Sequence, residues 1–320
     1  MKRRRLLLAG LPWLASPLQA QPGQPRVGAL TPWQAPDPRI PTYGALEAGL
    51  AEGGFVVGRT VEIEWRHGGG ERQRLQPLAE ELVRLPVDAI YAPGALEVAV
   101  ARRATATVPI VGVDLVSDPV QLGYAASLAR PGGNVTGIYL DGPGLLGKQM
   151  ELLRMAVPGM QRLAVIGVNG INDAQLPVAA HAGRQLRMSL QPLLIDQGMK
   201  LDAAFADAAR QKASGVLLLP SPWVSRADLS ALLATYRLPV ITPHPHHVRS
   251  GALMAYGPDV RDMWRMAAVQ LARILKGEAV ATLPIQRPDH FSLALSQRTA
   301  AALGLSLPPT LRLLANEVVE

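Results

Sequence analysis

Short apolar runs and longer amphipathic stretches alternate along most of this chain. Arg26-Val-Gly-Ala-Leu-Thr31 is a short apolar run that opens into a Pro-rich loop, Pro32 to Pro41. Such a run bounded by breakers predicts a buried strand. Tyr43 to Glu52 follows with Ala45, Leu46, Gly49 and Leu50 on one face, which predicts a helix ended by Gly53-Gly54. Val61, Ile63 and Trp65 alternate with Glu62, Glu64 and Arg66, the period of a half-exposed edge strand. Leu75, Leu78, Leu82 and Leu85 share a helical face, while Glu80, Glu81 and Arg84 point to water. Strand, helix and strand are then expected at Asp88–Pro93, Ala95–Ala104 and Val108–Asp114.

A second series begins after the breaker Pro131-Gly132-Gly133. Its strands are expected at Leu163–Val168, Leu190–Ile195, Val216–Leu219 and Val240–Thr242. Its helices are expected at Leu145–Ala156, Gln175–Arg187, Asp202–Lys212 and Ser225–Thr235. Repeated strand–helix order implies parallel sheets covered by helices on both faces. Gly251–Gly257, a long helix from Pro258 to Leu275, a strand Phe291–Leu295 and a helix Gln297–Leu303 then return to the sheets already laid down. The predicted fold is α/β, two Rossmann-like lobes discontinuous in sequence. One lobe is assigned residues 24–134 and 252–284, the other 135–251 and 285–320.

Composition narrows the class. At 320 residues the chain exceeds one ordinary core, which supports two domains. Lys2, Arg3, Arg4 and Arg5 precede the apolar stretch Leu6–Leu14, and Ala20 precedes a cleavage point, so residues 1–20 read as an export signal. Their removal takes away four cations and no acids and lowers the formal charge from +7 to +3. The remaining chain has no dense basic cluster, so no nucleic-acid partner is expected. Cysteine is absent, which excludes disulfides and a Cys-anchored lipoprotein. A periplasmic protein without membrane insertion is the expectation once the signal is cleaved.

Leu128-Ala-Arg-Pro-Gly-Gly-Asn-Val-Thr-Gly137, Gly58–Arg66, Ala79–Arg84, Ser117-Asp-Pro-Val120, Ile274–Gly277 with Leu283-Pro-Ile285, and the tail Thr299–Pro309 occur here in order. Together they make the chain resemble the TrpX-like substrate-binding proteins of ABC transporters, over nearly all of the mature sequence. The resemblance implies a type I periplasmic binding fold with three crossings between lobes. It implies capture of a small organic ligand, in some members an aromatic amino acid, by hinge closure, and delivery to a membrane permease. No enzyme activity and no cofactor are implied. A sensor reporting to a membrane signalling partner would use the same cleft.

Ligands in parallel α/β sheets sit beyond the C-terminal ends of strands. That rule selects Thr31, Trp33, Gly94, Ala95, Ser117 and Asp118 in the first lobe. In the second it selects Asn169, Asn172, Ser221, Trp223 and His244, and Tyr256 lies near a lobe return. Gly94-Ala95 starts a helix whose free N–H groups suit a carboxylate. Asp118 suits an ammonium group, or caps a turn before Pro119. Trp33 suits a ring, or packs its loop. Asn169-Gly170 also reads as a turn. Tyr256 lines the cleft or packs the hinge. His244-Pro-His246-His247 raises zinc binding as an alternative, but Pro245 splays the neighbours and no acid adjoins, so no metal site is assigned.

Overall fold

Two sheets carry the molecule, and their strands are apolar for a reason visible in the packing. The computed structural model describes residues 23–34, 42–114, 118–140, 142–196, 201–221, 224 and 227–320. The export signal at 1–20, most of the Pro-rich loop, Ser117 and Trp223 lie outside these residues.

The first sheet contains β1 (Arg26–Thr31), β2 (Glu62–His67), β3 (Ala89–Ala92), β4 (Ile110–Asp114) and β5 (Val135–Tyr139), in the order β2-β1-β3-β4-β5. All pairings are parallel. In β3, Ala89 and Tyr91 face one core cluster, and Ile90 and Ala92 face another. Both faces are covered, which is why the run is apolar without alternation. β2 lies at the edge of the sheet, as expected, with Ile63 and Trp65 packed against the core.

Helix α1 (Thr42–Glu52) and a later helix, Val260–Leu275, cover one face, and α2 (Leu75–Arg84) and α3 (Ala95–Ala104) cover the other. The first two helices touch closely. A Cβ on Gly49 would lie 2.3 Å from the Arg265 carbonyl oxygen. One on Gly53 would lie 2.1 Å from the Ala272 Cβ.

The second sheet runs β12-β11-β10-β9-β8-β6-β7. Its strands are β6 (Arg162–Val168), β7 (Ser189–Ile195), β8 (Gly215–Leu218), β9 (Val240–Thr242), β10 (Met254–Pro258), β11 (Phe291–Ser296) and β12 (Glu317–Val319). Helices α4 (Gly142–Ala156) and α5 (Gln175–Gln185) lie over one face. Helix α6 (Leu201–Arg210) and the helix Ser230–Tyr236 lie over the other. The helix expected from Ser225 starts at Ser230 among the described residues.

Pairing corrects the expected lobe boundaries. β5 belongs to the first sheet, with Val111↔Thr136 and Asp114↔Tyr139 in register. Pro131-Gly132-Gly133 therefore ends a loop inside the first lobe, and the chain crosses only after Tyr139. Gly137 permits this close pairing: at φ 139° it brings its Cα where a Cβ would lie 2.0 Å from the Gly112 carbonyl oxygen. β10 belongs to the second sheet, parallel to β9, so the second crossing follows Pro258. Pro258 closes that strand, and Asp259 caps the following helix by accepting from the Arg261 and Asp262 N–H groups.

The third crossing follows Gln286. Its N–H donates to the Gly137 carbonyl, and its carbonyl accepts from the Tyr139 N–H, which adds a short extended segment beside β5. Buried Gln270 pins that segment by donating to the Pro284 carbonyl and to the Gln286 side chain. Three crossings thus join the lobes. The first two leave from C-terminal strand ends, so those edges of both sheets look onto the space between lobes.

Candidate functional site

In the first lobe, the strand-end rim is built from β1, β2, β3, β4 and β5. Thr31 Oγ1 lies 2.8 Å from His67 Nδ1, joining the ends of β1 and β2. Trp33 is drawn inward. Its ring meets Trp264 edge-on at 6.3 Å and is 8% exposed, so it packs against the core.

The helix start at Gly94-Ala95 is occupied by the chain itself. Gly94 is the N-cap of α3, and a Cβ there would lie 2.0 Å from Glu97 Oε2. Glu97 thus folds its carboxylate back over the free N–H groups, the favourable place for an anion at a helix start. The anion site expected for a ligand carboxylate is filled by a side chain of α3.

Glu97 is 2% exposed, and its Oε1 has no hydrogen-bond partner among the described residues. Burial pushes its carboxyl up to about 7; its own backbone N–H opposes this, the Asp114 charge adds to it, and the Arg72 guanidinium opposes it. Asp114 is fully buried at the end of β4. Tyr139, its register partner on β5, is 2% exposed, and its hydroxyl has no partner among the described residues. Burial, then Asp114 and Tyr124, push that hydroxyl well up. Gly112 leaves room for it: a Cβ there would stand 3.3 Å from the Tyr139 oxygen.

Asp118 is exposed and turned to local work. Its Oδ1 accepts from the Val120 and Gln121 N–H groups, which caps the turn after Pro119.

In the second lobe, Asn172 is fully buried and fully engaged. Its Oδ1 accepts from the Val168 N–H at 2.8 Å, and its amide donates to Gln175 Oε1 and to the Pro220 carbonyl. It staples the end of β6 to the end of β8. Asn169 is exposed, donates to Asp196, and sits in a turn with Gly170 at φ 70°. Ser221 accepts from the Val224 N–H at 3.0 Å and is buried. Tyr256 stacks on Phe291 at 5.8 Å against the α4 side of the core, the packing alternative.

His244 does reach the rim after β9. Its Nε2 has no partner among the described residues, and burial, followed by His247 and His246, pushes it down to about 3. His247 is buried on Thr242, with Nδ1 and Oγ1 3.1 Å apart, and falls to about 4, mainly by burial. The rings of His244, His246 and His247 have centroids 4.3–5.6 Å apart. Among the described residues no group of three or more His, Cys, Asp or Glu is arranged to hold a metal ion.

A side chain of the first lobe reaches the second. The Arg72 guanidinium, in the 3-10 turn Arg72–Arg74 after β2, rests on Gly170, where a Cβ would come within 2.1 Å of Nη1. A cavity of about 600 Å³ lies elsewhere, lined by Arg162, Ser189 to Leu193 and Gln211. Arg162 and Ser189 begin their strands, so this open groove is at the opposite pole from the strand-end rim.

Glu97, Asp114, Tyr139 and Arg72 are the rim residues that sequence reasoning missed. Asp114 carried a usable signal: it is an acid ending an otherwise apolar run. The strand-end rule points to Ser117 and Asp118 in the same region.

A model of the ABC transporter substrate binding protein family matches residues 36–319. The tyrosine-binding protein of Clostridioides difficile (strain R20291) is 24% identical over 263 residues, covering 80% of this chain and 74% of that one. A Streptococcus pneumoniae ABC domain in complex with L-Trp superposes with a TM-score of 0.83 at 17% identity, covering 92% of this chain and 100% of that one. The ligand-free, open structure of a Clostridium difficile substrate binding protein with adhesive properties gives 0.66 at 20% identity, over 92% and 99%. These likenesses show the fold, the type I periplasmic binding architecture expected from the sequence. No helix among the described residues is long and apolar enough to cross a membrane.

Proposed function

This chain belongs to the ABC transporter substrate-binding proteins, and we propose that it captures an amino acid, aromatic ones foremost, between its lobes and delivers it to a membrane permease. The family model covers most of the chain, and the strand-end edges of both sheets look onto one interlobe space. That combination carries the reading. A tyrosine-binding relative and an L-Trp-bound structural neighbour direct it to aromatic amino acids.

The mechanism is closure. Three crossings and the Arg72–Gly170 contact join the lobes, so a ligand held by both rims favours the conformation in which they approach. The permease reads the closed form, and ATP hydrolysis occurs on other subunits. Residues 1–20 direct export, which places the protein on the side of the membrane where solutes arrive.

A thermal-shift screen tests this. Any ligand bound by the folded chain alone stabilises it by about 2.7 kcal/mol at one hundred times its Kd. L-tyrosine or L-tryptophan is expected to raise the Tm by several degrees. A panel in which sugars, carboxylates or divalent metals shift the Tm and no amino acid does would refute the amino-acid reading.

A further inference from the structure

We propose that Glu97, Asp114 and Tyr139 form a seat on the first lobe for the ligand's ammonium group. This rests on the amino-acid reading and assigns the orientation of the ligand within it. The three residues come from α3, β4 and β5. Strand alternation puts them on one face of the sheet: Ile110 and Val135, on the same face, pack with Val98 of α3. Asp114 and Tyr139 are register partners at the strand ends. Glu97 approaches from the helix start above them.

Each group is more than nine-tenths buried. Glu97 Oε1 and the Tyr139 hydroxyl lack partners among the described residues. A buried polar group left unpaired costs about 1–3 kcal/mol. Both unpaired groups border Asp114, whose charge raises the Glu97 carboxyl and the Tyr139 hydroxyl alike, so the acidic pocket they share suits a group that brings hydrogen and positive charge. The neighbours decide its charge. Two carboxyl groups sharing one site repel when both ionise, and Asp114 indeed raises the Glu97 carboxyl. An ammonium group brings one positive charge and three donors, which serves Glu97, Asp114 and the tyrosine oxygen at once.

Among the described residues of this lobe no comparable place is open to a ligand carboxylate. The start of α3 already holds Glu97, and a second anion there would meet like charge. The ligand therefore enters with its ammonium group toward the first lobe. Its carboxylate is left for the second lobe or for Arg72 at the lobe contact.

Calorimetric titration of the purified protein tests the seat. The probes are L-tyrosine, L-tryptophan, and the matching acids without the amine, 3-(4-hydroxyphenyl)propionate and indole-3-propionate. The amine-free acids are expected to bind at least about a hundredfold more weakly than the amino acids. Glu97→Gln is expected to weaken amino-acid binding at least about thirtyfold, and Tyr139→Phe about fivefold. Both variants keep the shape of buried side chains, and the Tm of the unliganded variants confirms that they fold. Amine-free acids that bind within threefold of the amino acids overturn the seat while leaving a small-molecule binder. So does unchanged affinity in both variants. Failure of all four probes to bind sinks the amino-acid reading, and the seat with it.

Discussion

Glu97 is the residue on which the chemistry of the first lobe turns. Its carboxyl stands at about 7 in the folded chain against 4.5 as its ordinary value. Between those values the folded state holds a proton that the unfolded state has released. Stability is then fullest below about 4.5 and falls as pH rises through 7, by a few kcal/mol in all. Asp114 enlarges the effect and Arg72 reduces it. His244 and His247 act with the opposite sign, because burial lowers them and their neutral forms are lost as pH falls.

Comparing the wild type with Glu97→Gln isolates the acid. In urea unfolding the variant is expected to gain stability relative to wild type at pH 8 and to lose that advantage at pH 5. Parallel curves at both pH values would show that Glu97 titrates normally. At this scale the sequence was legible in position and not in partnership. Thr31, Gly94 and His244 do stand at the rim. Asp118 and Asn172 bond locally, to Val120 and to Val168 and Pro220. Trp33 is claimed by Trp264, far downstream, and no local pattern announces such a pair.

Elements were easier to read than residues, since a strand covered on both faces must be apolar and a covering helix must be amphipathic. The strand expected at 88–93 and the edge strand around Ile63 both form. Lobe membership was harder. Pro131-Gly132-Gly133 announces a loop, and only the pairing of Gly112 with Gly137 shows that the next strand stays in the first sheet. The C-terminal strand β12 and the helix Pro309–Leu314 also formed without being anticipated.

The late helix Val260–Leu275 joins the first lobe by packing on α1, and Gly49 sets how closely they approach. With backbone at 2.3 Å from an added Cβ, no rotamer change relieves the clash. Gly49→Ala is expected to cost about 1–3 kcal/mol, as overpacking does, read as a lower urea midpoint. A midpoint equal to wild type would mean the two helices separate freely, contrary to this packing.

For the whole molecule, the discontinuous two-lobed plan was legible because strands and helices resumed after the long helix. The crossing points were not, because they depend on pairing between distant strands. Three crossings and the contact of Arg72 on Gly170 join the lobes, and capture between them calls for the lobes to open and close about the crossings. Ligand capture between lobes therefore implies a change in overall size. Small-angle scattering of the purified protein, alone and with saturating L-tyrosine or L-tryptophan, measures that change directly. A ligand-dependent fall in the radius of gyration, saturating at one ligand per chain, is the predicted result. Saturated binding with an unchanged radius of gyration would contradict capture by closure.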